Sequence, residues 1–336
     1  DYDEDRKEDV VRCLSLADGA EIWRFTYYVK VKRNHGMSRT VPAVGEGVVV
    51  TLGPKGHVVC LDAETGQLLW KTNLVLDYGT KVPEWYAGQC PLIDGGKVII
   101  APGGEALMFA AEPRTGKVLW KTPNPDGWQM THSSILPIRF AGQRQYVWCA
   151  DQGVVGVDAE TGELLWRFPD WRIKIATVPT PVDLGDGRLL LSGGYGAGAM
   201  MVRLERGENG IHVRKLFETT PKVFGSDQQT PIYFEGLIYG VIPGGKLACL
   251  TPDGRQIWAQ GKPNLGLGPY VIAAGRLLAL DGNPPVLYLF EIGPEGLTKL
   301  AEHKLLDGHD AWAPMAVAGD RIILRDLTTL LCLQIR

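Results

Sequence analysis

The 336-residue chain contains no run approaching the roughly 20 apolar residues that a membrane-spanning helix requires. It has no block of consecutive Lys and Arg, and a net charge of −3, so nothing in it draws nucleic acid or an anionic surface. None of its six cysteines is spaced as CxxC or CxxCH, which removes zinc ribbons and covalent haem attachment. G-x-S-x-G, Walker A and H-E-x-x-H are also missing, and with them the hydrolase, nucleotide and zincin signatures. THSSILP (131–137) sets His beside Ser, but neighbouring residues of an extended chain point to opposite faces, which makes a poor nucleophile pair. There is no initiator Met. The acidic opening DYDEDRKEDV reads as a solvated loop running straight into the strand-like VVRCLSL, and implies that residues precede it.

Glycine, in contrast, is plentiful at 42 residues, and it recurs with tryptophan at fixed spacing. Five windows align: CLSLADGAEIW (13–23), CLDAETGQLLW (60–70), AAEPRTGKVLW (110–120), GVDAETGELLW (156–166) and ACLTPDGRQIW (248–258). FEIGPEGLTKL (290–300) keeps the glycine but has Leu300 in place of Trp, and MVRLERGENG is a degraded copy. Each window predicts a strand, a tight turn whose Asp or Thr bonds local amides while Gly66, Gly116 or Gly162 takes positive φ, and a return strand ending in Trp. A second hairpin, with Pro near its start, precedes each window, as in TVPAVGEGVVVTLG (40–53) and QCPLIDGGKVIIAPGG (89–104).

Two hairpins per period of about 42 to 50 residues give a four-stranded antiparallel unit with two faces to cover. Radial repetition covers both. The fold class expected is all-β, a β-propeller of four-stranded blades, eight-bladed with the first blade incomplete; seven blades would leave the strand LLCLQI unplaced. Residues 1–336 are expected to form one such domain. Cys13, Cys60, Cys249 and Cys332 fall in equivalent strand contexts and read as buried free thiols.

The A-x-D-x-x-T-G-x-x-x-W signature resembles the repeat of PQQ-type propellers, which include quinoprotein alcohol dehydrogenases and the outer-membrane assembly factor BamB. The resemblance implies that the turn and the Trp lock neighbouring blades. For the enzyme branch it also implies an axial PQQ with Ca²⁺, a catalytic Asp and often an adjacent Cys-Cys pair. This chain has no adjacent cysteines, and no Glu, Asn or Asp matches those ligands by motif. The BamB branch implies a non-catalytic scaffold in the cell envelope or periplasm, with no cofactor.

Loops that enter each blade's first strand are expected to converge on one axial face. They carry the candidate binding residues His35, Arg39, Trp85, Tyr86, Gln89, Trp128, His132, Asp227, Gln228, Gln229, Tyr270, His309, Asp310 and Trp312. Such a face suits an envelope protein, a peptide or a small polar or carbohydrate ligand. The plainer alternative is that these groups satisfy loop backbone. His35, His132 and His309, with Asp227 or Asp310, could also be imagined around a transition metal, but their spacing is not diagnostic. His57 and His303 read as solvated surface.

Overall fold

The computed structural model describes residues 1–335. Its architecture is an eight-bladed β-propeller of antiparallel sheets, with a single five-residue helix among the described residues. The first sheet has three strands, Tyr2–Asp3, Glu8–Leu14 and Glu21–Tyr28. The second is Ala43–Gly45, Val48–Leu52, His57–Asp62 and Leu68–Asn73; the third is Leu92–Asp94, Lys97–Ile100, Ala106–Ala111 and Val118–Pro123. The fourth is Leu136–Phe140, Gln143–Ala150, Gly153–Asp158 and Leu164–Phe168. Sheets five to seven begin at Val182, Ile232 and Tyr270 and have four strands each. The eighth has three, Ala316–Ala318, Arg321–Arg325 and Leu330–Gln334.

The described chain forms two compact units. One comprises Asp1–Pro181 with Leu204–Arg214, the other Val182–Arg203 with the described residues from Lys215 onward. In the first unit, the two middle strands of sheets two to four are apolar and buried on both faces, with Val50, Val58, Ile100 and Val147 all at 0% exposure. Outer strands carry the polar surface: in Leu68–Asn73, Leu68 and Lys71 are exposed and the other four residues half-buried.

The repeated window works as a clasp between sheets. In the second sheet Asp62 Oδ1 accepts from Thr65 N (3.0 Å) and Thr65 Oγ1 (3.0 Å), while Gly66, at φ 70°, donates to Asp62 O at 2.9 Å. The Trp23 indole of the first sheet lies flat on that turn. A Cβ built on Gly66 would come within 2.6 Å of Trp23 Cδ2, and Trp23 Nε1 donates to Ala63 O at 3.1 Å. The pattern repeats: Trp70 covers Gly116 (2.7 Å to the same imagined Cβ) and donates to Pro113 O, and Trp120 covers Gly162 (2.5 Å). In the second unit Phe217 replaces Trp over Gly254 (2.9 Å), and Trp258 Nε1 donates to Gly293 O at 2.9 Å. Only glycine allows both the left-handed φ and the face-on approach of an indole.

Four expectations are corrected. Trp166 turns back onto its own sheet, where its Nε1 donates to Gln145 Oε1 at 2.9 Å and its ring fills the space over Gly156. The acidic run at 3–9 is a hairpin and not a loop: Tyr2 pairs with Asp9, and Asp9 is 4% exposed with Tyr27 Oη donating to it at 2.6 Å. The cysteines are free, but Cys332, on an edge strand, is exposed, and Cys13, on the middle strand of the three-stranded first sheet, is half-buried. His57 is half-buried and lies against Tyr27, at 5.3 Å between ring centroids with the rings tilted by 49°.

Trp70→Ala is expected to cost about 3 kcal/mol, and Gly116→Ala about 1–2 kcal/mol from left-handed strain, plus the clash. Because both changes break one contact, the double variant is expected to lose clearly less than the sum in urea denaturation; strict additivity would rule out the clasp. Burial by itself would raise the Asp158 carboxyl, but the Thr161 backbone N–H and the Gln143 amide outweigh it and hold it below its ordinary value. A depressed carboxyl stabilises the fold above the unfolded value of about 3.9, and that contribution fades as pH falls through the folded value. The stability gap between the native chain and Asp158→Asn is therefore expected to shrink on acidification from neutral pH to below about pH 3.

Candidate functional site

The loop between Leu68–Asn73 and Leu92–Asp94 holds three of the sequence-predicted residues, Trp85, Tyr86 and Gln89. It opens on the helix Leu74–Tyr78, which the sequence reading took for loop. Asn73 caps this helix, its Oδ1 accepting from Val75 N (3.0 Å) and Leu76 N (3.3 Å), and Gly79 ends it at φ 63°.

Downstream, Trp85 (φ 64°) and Tyr86 (φ 79°) are consecutive L-residues in the left-handed region. Each such residue costs on the order of 1 kcal/mol or more and persists only where its surroundings hold it. The surroundings do so here. Tyr86 Oη accepts from Lys32 N at 2.8 Å and donates to Lys32 O, and Ala87 N donates to Pro54 O at 3.0 Å. Gln89 is fully buried and its side-chain amide pairs with both Ala101 N (2.9 Å) and Ala101 O (3.1 Å).

His132 braces the same loop from behind. It is 8% exposed, and its Nε2 donates to Glu84 O at 2.9 Å, so its buried Nδ1 carries no proton and has no partner among the described residues. Burial pushes its pKa down, and the positive charge of Arg39 adds to the effect. Arg39 itself is held by Asn34 O (3.0 Å), Asn34 Oδ1 (2.6 Å) and Gly36 O (2.9 Å). His35 is exposed at φ 46°. Trp128 is 6% exposed, packed in the core cluster of Ile99, Met108 and Trp148, with the Arg167 guanidinium 5.5 Å above its ring.

Beside this loop lies a cavity of about 550 Å³, lined by Lys55, His57, Asn73, Val75, Leu76, Thr80, Val82, Pro83, Trp85 and Tyr86. His57 and Thr80 escaped the sequence reading. His57 sits in KGHVV and Thr80 in YGTKV, and neither neighbourhood signals a pocket; only the folded hairpin and helix bring them together.

In the second unit, Asp227 and Gln229 line a smaller cavity of about 270 Å³ with Asn264 and the backbone of Gly244, Gly245 and Gly266. Gln229 is saturated by structural bonds, donating to Gly266 O (3.1 Å) and Gly268 O (3.0 Å) and accepting from Ser226 Oγ (3.1 Å). Gln228 is half-buried beside it, and Tyr270 Oη donates to Thr230 O at 3.0 Å. His309 is exposed, with Nδ1 at 3.3 Å from Asp310 Oδ2, and the Trp312 indole covers Gly282. That loop is tied down by the buried Asp326, whose Oδ2 accepts from Gly308 N at 3.0 Å.

Among the described residues no three His, Cys, Asp or Glu side chains gather where one ion could hold them.

His132 is expected to titrate below the ordinary value of about 6.5 in an NMR experiment. Arg39→Gln is expected to bring it part of the way back; a value at or above the ordinary one would contradict the buried placement. With a folded pKa below the unfolded one, the neutral ring stabilises the fold above about pH 6.5, and that contribution is lost as pH falls through the folded value.

A family model described as outer membrane protein assembly factor BamB matches residues 7–260. The quinoprotein alcohol dehydrogenase PedH of Pseudomonas putida is 25% identical over 171 residues, covering 48% of this chain and 27% of that one. Tetrathionate hydrolase of Acidithiobacillus ferrooxidans is 30% identical over 119 residues, covering 32% and 23%. The chain thus spans about a quarter of the length of these curated relatives. Among solved structures, BamB of Moraxella catarrhalis superposes with a TM-score of 0.66 at 15% identity, covering 96% of this chain and 95% of that one. A europium-containing methanol dehydrogenase gives 0.66 at 14% identity, with 94% and 78% covered. At these identities the structural likeness speaks for the fold. The family match, which runs through the first six sheets, says more: the chain belongs to the family of the outer membrane protein assembly factor BamB.

Proposed function

We propose that this chain is a non-catalytic, BamB-like propeller scaffold of the cell envelope, and that it engages a protein or peptide through the loop at 74–91. Residues 1–336 serve in this reading as one propeller domain. The observation that carries it is the pair Trp85–Tyr86, strained in backbone and braced by Lys32, Pro54 and His132 beside a largely apolar cavity. Strain that the surroundings hold in place is a mark of pre-organised binding surfaces. Leu76, at 80% exposure, and Val75, at 41%, extend the apolar surface outward on the helix. Isolated apolar residues need no explanation, but a strained aromatic pair beside a lined cavity does. Of the sequence-predicted residues, Arg39, Trp85, Tyr86 and His132 belong to this surface. Gln89 and Trp128 support it from the core. Asp227, Gln228, Gln229, Tyr270, His309, Asp310 and Trp312 are proposed as contributors on the loops of the second unit.

Envelope placement follows the family, and among the described residues no helix is long and apolar enough to cross a membrane. The family match supports the scaffold reading; the second reading is a PQQ dehydrogenase acting on alcohols or sugars. A photoreactive phenylalanine analogue in place of Leu76 is expected to give discrete adducts with envelope proteins, sharply reduced by Trp85→Ala. No adducts, together with dye-linked alcohol oxidation after reconstitution with PQQ and Ca²⁺, would overturn this reading in favour of the enzyme.

A further inference from the structure

We infer that the Gly19 turn of the first sheet is an open docking site for another polypeptide, and that it takes an extended segment of the pattern apolar-apolar-Trp-basic. The site uses other residues than the loop at 74–91 and goes beyond the reading given for that loop.

The repeated window itself supplies the comparison. Gly19 takes φ 75° and donates to Ser15 O at 2.8 Å; Gly66, Gly116 and Gly162, at φ 69–74°, donate to Asp62 O, Glu112 O and Asp158 O at 2.9–3.0 Å. The turn is therefore built alike in all four. An aromatic ring stands within 2.9 Å of a Cβ imagined on Gly66, Gly116, Gly162 or Gly254, whereas no atom comes within 4 Å of one on Gly19. The second residue of each window records the same difference. Leu61, Ala111, Val157 and Cys249 are 0–1% exposed, and Leu61 packs against Trp23, Phe25 and Tyr27 of the strand that covers its turn. Leu14, at the equivalent position, is 37% exposed, and Leu16 (47%) and Ile22 (61%) widen the apolar surface. Cys13 is half-buried where Cys60, Ala110, Gly156 and Ala248 are buried. Gly210 of the degraded copy is also bare, but there the preceding Leu204 is already covered, at 1% exposure.

The strands that cover the other turns show what fits this one. Trp23, Trp70 and Trp120 each follow Ile or Leu and precede Arg24, Lys71 or Lys121. Trp23 and Trp70 donate to the carbonyl three residues before the covered glycine, Ala63 O and Pro113 O. Leu16 O holds that place in the first sheet and accepts no hydrogen bond among the described residues. An indole laid on Gly19 would thus cover Leu14 and find an acceptor for its N–H. Charge agrees with this occupant. Where the covered turns have Thr65, Thr115 and Thr161, this turn has Asp18, exposed and without an ion-pair partner among the described residues. A Lys or Arg after the indole supplies the opposite charge, which favours that partner over an acidic one. The occupant comes from outside the described chain: Trp166, which the motif would offer, is held on its own sheet, and no described aromatic reaches Gly19.

The test titrates the protein, carrying ¹³C-labelled leucine methyls, with acetyl-Gln-Leu-Leu-Trp-Lys-Thr-amide, the sequence of residues 67–72. Two further peptides carry the changes Trp70→Leu and Lys71→Glu. The ring current of a docked indole is expected to move the Leu14 and Leu16 methyl resonances upfield, saturably, with a Kd of about 1 mM or below. The Trp70→Leu peptide is expected to bind roughly ten-fold more weakly and to give no upfield shift. The Lys71→Glu peptide is expected to bind more weakly at low salt and to lose that difference as salt rises. Gly19→Asn tolerates the left-handed turn but sets a side chain where the indole must lie. It is expected to abolish the shift while the other methyl resonances stay native. Leu14→Lys, a change at an already exposed residue, is expected to weaken binding as read at Leu16. No upfield shift at about 2 mM peptide, equal binding of the Trp and Leu peptides, or indifference to both protein variants would each overturn the inference. A Leu14 shift that follows protein concentration alone, with dimers in sedimentation, would assign this face to a second copy and overturn it as well. Adducts from position 76 that persist while the peptides fail would leave the scaffold standing and remove only the Gly19 site.

Discussion

One contact sets the rest of this architecture in order: an indole laid flat on a glycine turn of the neighbouring sheet. A four-stranded antiparallel sheet has two faces to cover, and in the first unit each sheet is closed against the next by the same device. The glycine is required twice over, for its left-handed φ and for the missing Cβ that would stand less than 3 Å from the ring. At two of the three clasps the indole N–H also finds a carbonyl in the covered turn, Trp23 at Ala63 and Trp70 at Pro113, which makes those two directional as well as apolar, whereas the buried Trp120 Nε1 has no partner among the described residues. With the sheets fixed in this way, the loops that link them can depart from regular geometry, and the strained Trp85–Tyr86 step is one of those departures.

This division explains what could be read from the sequence. Turns and strands are local, so Asp62, Gly66 and Trp70 announce their roles by spacing, and the hairpins fall where the alternation puts them. Partners of a buried polar group are not local. His57 looks solvated in KGHVV because nothing in five residues reveals that Tyr27 and Asn73 will close over it. Asp9 sits in a run of charges that promises solvent, yet one residue of that run turns inward and is bonded by two hydroxyls. Trp166 obeys the motif and still departs from the clasp, because the hairpin after it is the degraded copy and the ring finds Gln145 on its own sheet instead.

The candidate site shows the same split. Arg39, Trp85, Tyr86 and His132 were legible as loop residues of unusual polarity and aromaticity, and the structure gathers them around one segment. The cavity beside them was not legible, since it needs the helix Leu74–Tyr78, the turn carrying Lys55 and the strand carrying His57 at once. His57 Nδ1 and Thr80 Oγ1 are buried without a partner among the described residues, as are side-chain atoms of six other residues. A fold held by apolar clasps can carry these local costs, because they are small beside the buried area of the sheets.

Native-state hydrogen exchange at the tryptophan indoles tests the clasp most directly. If Trp23 and Trp70 join the sheets as described, their indole N–H groups, bonded to Ala63 O and Pro113 O, exchange only with the global unfolding that also opens the buried strands Val48–Leu52 and Ala106–Ala111. Exchange of these indoles at the rates of exposed loops, while the strands stay protected, would mean that the rings are ornaments on the sheets and that something else holds the blades together.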